Sequence, residues 1–247
     1  MNIELLLLVT LVASVLQAIA GFGFGLIVVP VFLLVLGDSS AVQLVIILTL
    51  MMSIFHSCFL HKHIDRQLLK QLSIGSLFGF PVGLMMFEWV PLAWLKLLLA
   101  IFLLFFAAQY LFGMIRGIQN QIQYTSKQFS AVGFASGIMT SALAMPGPVV
   151  MIFLSRSTLG KDQIRAALIV FMVIAYAGAL VFHYLLSGLR PGVVELSFKL
   201  LPAALIGVIA GHYLARFVSA YYFRLGVLIL LLLTACYLFL NLAMEYF

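Results

Sequence analysis

The sequence predicts an all-α integral membrane protein made of two inverted halves, each a broken, re-entrant helical hairpin followed by three transmembrane helices. Three observations lead to this fold class. The 247 residues are 65% hydrophobic and only 8% charged, with a mean hydropathy of +1.25. The apolar runs are long and continuous. Two of them are broken by Gly and Pro at corresponding places in the two halves.

The low charge content excludes an ordinary water-soluble domain, in which about 25% of the residues are charged. Only helices and closed barrels span a bilayer, and the runs lack the two-residue alternation of barrel strands, so we expect helices. The net charge of +6 is spread over short loops and forms no nucleic-acid-binding patch. Cys58 and Cys236 lie in apolar segments, without the spacing of a zinc site or a disulfide framework.

The apolar runs between charges divide the chain into eight segments. Their bounds are 3–36, 41–60, 68–87, 92–114, 128–155, 164–186, 194–214 and 222–244. Six have the usual length of one crossing, about 20 residues. The two longer ones are interrupted, the first by Gly21-Phe22-Gly23-Phe24-Gly25 and the second by Met145-Pro146-Gly147-Pro148. Each is either one broken crossing or a hairpin that enters and leaves on the same face.

The positive-inside rule distinguishes these arrangements, because Lys and Arg collect on the cytoplasmic side of membrane proteins. Two hairpins place 10 of the 13 basic residues on one side, whereas two single crossings divide them 7 to 6. With hairpins, only Lys96, Arg190 and Lys199 lie on the other side. The hairpins are favoured, so both termini are expected outside the cytoplasm and the 115–127 loop inside.

Matching residues recur in order along the two halves. At an offset of 122, Ser14, Gly25 and His61 fall on Ser136, Gly147 and His183; at an offset of 128, Gly79 and Gly83 fall on Gly207 and Gly211. Such a series indicates an internal duplication, with repeat 1 over about 1–118 and repeat 2 over about 126–247 of a single domain. A hairpin plus three crossings makes an odd number of passages, so the second half enters from the opposite face, as in many secondary transporters.

Two broken segments at matching positions are the best sequence indication of a transport site. The second arms begin near Gly25 and Pro148, and helix N-termini carry free N–H groups and about half a positive charge. Two such ends form an anion site without a basic side chain. The residues expected to bind substrate are Ser14, Gln17, Gly21, Gly23, Gly25, Ser136, Thr140, Ser141, Pro146, Gly147 and Pro148. The alternatives are close helix packing for the glycines and bonds to their own helix for the hydroxyls.

Charged and titratable residues are scarce inside the segments. All seven acidic residues lie near segment ends, so no carboxylate for a proton relay is evident. His56, His183 and His212 lie within about a turn of segment ends and are expected to be interfacial. The substrate is therefore expected to be bound by backbone N–H groups and hydroxyls, with Arg165 and Arg216 far from the hairpin tips.

The interrupted runs also resemble a known family. Gly21-Phe22-Gly23-Phe24-Gly25, with Pro30 beyond it, resembles the first-half signature of the TauE/SafE sulfite exporters. Gly133-x-x-Ser136-Gly137 followed by Gly147-Pro148 resembles the repeated signature, and Arg165-Ala166 also fits. The family often has a Gly-Gly pair where this chain has Phe24 and Pro146. The resemblance covers nearly the whole chain and implies a bacterial inner-membrane permease for sulfite, sulfonates or related sulfur-containing organic anions.

We therefore expect a secondary transporter that exports a small anion, not an enzyme, and we expect no cofactor. The five histidines are too scattered for a di-metal oxygenase, and no Asp-rich Mg²⁺ motif is present. The alternatives are a non-transporting subunit that anchors a partner and an uptake permease for sulfonates or other organic anions. The expected partners are the anion and the lipid bilayer, with no nucleic acid. The sequence is compatible with a monomer or a homodimer.

Overall fold

The fold is seen in a computed structural model, which describes residues 3–59, 65–116, 125–155, 157, 159–215 and 217, and short stretches within 228–240. The longer described ranges contain α1 Ile3–Ala20, α2 Phe24–Leu36, α3 Ser40–Ser57, α4 Arg66–Trp89, α5 Leu92–Arg116, α6 Ser126–Leu143, α7 Gly147–Leu154, α8 Lys161–Phe182 and α9 Val193–Leu214. A π-helical turn, His183–Ser187, continues α8. The predicted segment 222–244 lies largely outside the described residues.

Among the described residues, six stretches of helix are long and apolar enough to span a membrane, which confirms the all-α membrane fold. They are Ile3–Ala20, Ser40–Ser57, Arg66–Trp89, Leu92–Gln109, Gln163–Ser187 and Val193–Leu214. Large apolar side chains stay exposed on these helices, for example Phe78 of α4 and Phe105 of α5. Such a surface suits lipid rather than water.

Polar residues set two of the helix starts. The Asp65 carboxylate accepts hydrogen bonds from the backbone N–H groups of Gln67 and Leu68, which caps α4. Thr125 and Gln128 form a reciprocal capping box at α6. These side chains satisfy N–H groups that have no partner within the first turn.

The direction of α3 follows from its two ends. Near its start, the Gln43 amide donates to the Gly188 carbonyl over 2.9 Å and accepts from the Arg190 N–H over 2.8 Å, just before α9 begins. At its other end, the ring of His56 lies 6.3 Å from that of His212, in the last turn of α9. The two helices therefore run in the same direction.

The first long segment is a hairpin rather than a single crossing. α1 runs parallel to α9, because Gly207 packs on Leu11 and Gly211 packs on Val15. Since α1 and α3 both run parallel to α9, α2 must carry the chain back between them. Residues 3–36 thus enter and leave at the same end of the bundle, as the charge pattern predicts.

Close backbone contact joins α4 and α6. Gly75 packs on the backbone of Ser130, and Gly83 on that of Ile138, so the two helices are parallel. Any Cβ at these glycines would overlap the α6 backbone. The Ser76 hydroxyl donates to the Gly133 carbonyl across the seam over 2.9 Å. Small residues in this role are typical of helix pairs in membranes.

The second long segment is also a hairpin. The Ser187 hydroxyl, just after α8, donates to Glu88 in the last turn of α4, so α4 and α8 end on the same side of the bundle. α6 runs parallel to α4 and hence to α8, so α7 must return the chain between them. The described helices therefore place residues 128–155 in a second hairpin.

The two hairpins enter from opposite ends of the bundle. α1 begins at the end where α9 begins, near Arg190, whereas α6 begins at the other end. The inverted repeat predicts this arrangement. In the repeat, α4 corresponds to α9 and α6 to α1, so the α4–α6 seam corresponds to the α1–α9 seam. The duplication itself stays a prediction.

Candidate functional site

Each hairpin tip has backbone that a regular helix does not allow. Gly21 and Gly23 link α1 to α2 with φ angles of 83° and 114°, in the region that favours glycine. Ala144 links α6 to α7 with φ of 54° and ψ of 41°. A non-glycine residue in this left-handed conformation is strained by about 1–3 kcal/mol, and such strain is common at functional sites.

A polar side chain of the first arm holds the start of each second arm. In the first hairpin, the Gln17 side-chain oxygen accepts from the Phe24 N–H over 3.1 Å. In the second, the Ser136 hydroxyl donates to the Pro146 carbonyl over 3.0 Å. Phe24 and Pro146 are equivalent at the offset of 122. Proline has no N–H, so its carbonyl is held instead.

The two tips touch each other inside the protein. A Cβ added to Gly25 would lie 2.5 Å from the Ala144 carbonyl oxygen and 3.3 Å from Met145 Cγ. A Cβ added to Gly147 would lie 2.9 Å from Phe22 Cβ. The helices α2 and α7 begin at this tip junction, so it carries the partial positive charge of two helix N-termini. The arrangement can stabilise a negative charge.

The eighth helix supports the tip junction with a buried tyrosine. The Tyr176 hydroxyl donates to the Ala144 carbonyl over 2.8 Å, and the side chain is fully buried. This bond helps to hold Ala144 in its strained conformation. Thr49 of α3 lies close to Tyr176, but its hydroxyl has no partner within hydrogen-bond geometry.

The expectation that Arg165 lies far from the tips is wrong. Its guanidinium donates to the carbonyl of Ala18, in the last turn of α1, and its side chain packs on Gly21. The sequence placed it at a segment start, but packing brings the start of α8 against the first tip. A cation at a helix C-terminus also compensates the negative end of the helix dipole.

The three other hydroxyl residues predicted for the site have different surroundings. Ser14 lies on the α1–α9 seam, where its hydroxyl donates to the Thr10 carbonyl and its side chain packs on Gly207. The Thr140 hydroxyl donates to a carbonyl of its own helix over 2.6 Å. Ser141, one turn before the second tip, is fully buried, and its hydroxyl has no hydrogen-bond partner. Of the hydroxyls predicted for the site, that of Ser141 is free to bind a ligand.

Three polar residues of α3 differ from what the sequence predicted: Thr49 and Ser53 were not considered, and His56, which was expected to be interfacial, is buried within the protein. Thr49, Ser53 and His56 are each at most 1% exposed. The Thr49 and Ser53 hydroxyls and both His56 ring nitrogens have no hydrogen-bond partner. Their spacing of four and three residues places them on one helix face, which we call the α3 polar stripe. This spacing in an apolar segment was the available signal.

A hydrogen-bond network closes the opposite end of α3. The Nε2–H of His183 donates to the Ser141 carbonyl over 2.9 Å, so Nδ1 accepts from the Gln43 amide at 3.4 Å. Gln43 in turn binds Gly188 and Arg190. His183 was expected to be interfacial and is instead fully buried within the protein. Within the described ranges, no three His, Cys, Asp or Glu residues cluster to hold a metal ion.

Comparison with known proteins gives one result. No curated protein and no solved structure matches the chain. The sequence does match the family described as Sulfite exporter TauE/SafE over residues 6–238, nearly its whole length. Broken hairpins whose tips meet inside a bundle of membrane-spanning helices fit a transporter family, and the chain belongs to the TauE/SafE family.

Proposed function

We propose that this protein is a permease that exports sulfite or a related small sulfur-containing anion across the bacterial inner membrane. The observation that carries the proposal is the tip junction, where the N-termini of α2 and α7 meet inside the protein. Family membership supports the class of substrate. The membrane potential supplies about 2.3 kcal/mol per charge per 100 mV to an anion that leaves a negative cell interior.

The binding contacts of this site are backbone N–H groups and the Ser141 hydroxyl. The first N–H groups of a helix have no intrahelical partner, and Gln17 occupies only that of Phe24. Arg165 adds positive potential at the first tip while it holds the Ala18 carbonyl. Such donors suit a compact oxyanion, and they discriminate poorly between close analogues because they lack a charged fork.

The polar residues of the two hairpins then have different roles. Ser141 contacts the anion, whereas Gln17 and Ser136 position the second arms. We expect Ser141→Ala to weaken sulfite binding by about 1–3 kcal/mol without loss of thermal stability. Gln17→Ala and Ser136→Ala should weaken binding and also lower the unfolding temperature, since each leaves a tip group unpaired.

The experiment is sulfite-dependent thermal stabilisation of the purified protein, followed by efflux of labelled sulfite from proteoliposomes. Ser197→Ala is the matched control, because the Ser197 hydroxyl is buried but donates to the Val193 carbonyl of its own helix. The screen includes thiosulfate, sulfonates and carboxylates. An anchoring subunit shows neither stabilisation nor flux, and an uptake permease for sulfonates responds to sulfonates but does not export sulfite.

The orientation that we propose places both termini outside the cytoplasm. Arg190 lies at the end of the bundle where α3 begins, and Arg165 lies towards the other end, in agreement with the separation of basic residues. A single cysteine at Gln121, with Cys58 and Cys236 replaced, should resist an impermeant maleimide in intact cells. A cysteine at Asp38 should react in the same cells. Labelling of Gln121 from outside would overturn this orientation.

A further inference from the structure

We propose that the α3 polar stripe, formed by Thr49, Ser53 and His56, contacts the anion between the tip junction and the end of α3. The inference rests on the proposed function and adds a route for the same substrate. The stripe begins beside the junction, because Thr49 lies close to Tyr176, which binds the second tip. It ends at His56, whose ring lies 6.3 Å from that of His212.

The stripe is longer than the contact surface of one small anion, so it can contact the anion at successive positions. Seven residues of α-helix separate Thr49 from His56, which corresponds to about 10 Å along the axis. The opposing helix is α8, which runs antiparallel to α3 and carries Tyr176 near one end of the stripe. Arg165, also on α8 and in contact with Gly21 of the first tip, lies within electrostatic range of His56. The stripe therefore leads from the tip junction towards the end of α3.

The hydrogen bonding of the stripe differs from that of several other buried hydroxyls. The hydroxyls of Ser76, Ser136, Thr140 and Ser197 are also buried, and each binds a backbone carbonyl. Those of Thr49 and Ser53 bind none, although a helix offers such carbonyls to every serine and threonine. Leaving a buried donor unpaired is unfavourable. Three unpaired polar side chains on one helix face therefore indicate a ligand that pairs with them. Hydroxyls and an imidazole N–H can donate in succession to the oxygens of an oxyanion.

Conservative variants test the stripe. Thr49→Val and Ser53→Ala should each slow sulfite efflux from proteoliposomes about 10-fold, the effect of losing one hydrogen bond to a charged ligand. His56→Leu should slow efflux at least as much, and His56→Gln, which keeps a donor, should recover part of the rate. The unfolding temperature of Ser53→Ala should not fall, because removing an unpaired hydroxyl takes away no bond.

Thr10→Val is the matched control. The Thr10 hydroxyl is also buried and without a partner, but α1 carries it rather than α3. Sulfite efflux by Thr10→Val should stay within about two-fold of that by the wild type. If the wild type transports sulfite and Thr49→Val and Ser53→Ala transport it at the same rate, the stripe has no role, but the proposed function stands. The same conclusion follows if these variants are slower only because their unfolding temperature is lower. Absence of sulfite flux and stabilisation in the wild type would overturn the proposed function and the stripe together.

Discussion

Leucine in place of Gly25 or Gly147 should abolish anion flux while leaving membrane insertion largely intact. At Gly25 even a Cβ would lie 2.5 Å from the Ala144 carbonyl oxygen of the facing hairpin. Backbone cannot move aside as a flexible side chain can, so the two tips must separate. The N-termini of α2 and α7 would then no longer meet around one anion.

Smaller substitutions grade this effect. Gly25→Ala should already remove most of the flux, whereas Gly147→Ala should be milder, because its Cβ meets the Phe22 side chain at 2.9 Å. Gly160→Ala is the control, since the nearest atom to its Cβ lies 3.6 Å away, in ordinary contact. Protein amount in the membrane and sulfite efflux should be measured together. Normal efflux by Gly25→Leu would remove the tip junction from the transport mechanism.

Replacing Arg165 with Gln should reduce both sulfite flux and stability. The Ala18 carbonyl loses the guanidinium that binds it, and an unpaired buried acceptor costs about 1–3 kcal/mol. The C-terminus of α1 also loses a compensating positive charge. With less positive potential at the first tip, the anion should bind more weakly. Arg165→Lys keeps the charge but not the planar fork, so it should retain more function than Gln.

Arg190→Gln provides the comparison for Arg165. The Arg190 side chain is 49% exposed, and its guanidinium lies 3.8 Å from the Glu88 carboxylate. Ion pairs that are this exposed contribute about 0–1 kcal/mol to stability. The unfolding temperature and sulfite flux of Arg190→Gln should therefore change little. If Arg165→Gln behaves like Arg190→Gln in both measurements, Arg165 does not support the tip.

The sequence by itself determined the class of protein and the location of the breaks. Hydropathy and charge are properties of each segment, so the spans and the preference for hairpins could be predicted before any contact was known. Gly21, Gly23 and the Met145–Pro148 run marked the tips, because glycine and proline act on the backbone where they stand. The bundle of described helices agrees with these local signals.

Tertiary structure alone decided which polar groups are available for a ligand. Ser14 and Ser141 look alike in the sequence, yet the hydroxyl of the first binds its own helix and that of the second binds nothing. Arg165 lies 147 residues from Ala18 in the chain and contacts it in the fold. The partner of a buried polar atom depends on which helices pack together, and that is settled over the whole bundle rather than within one segment.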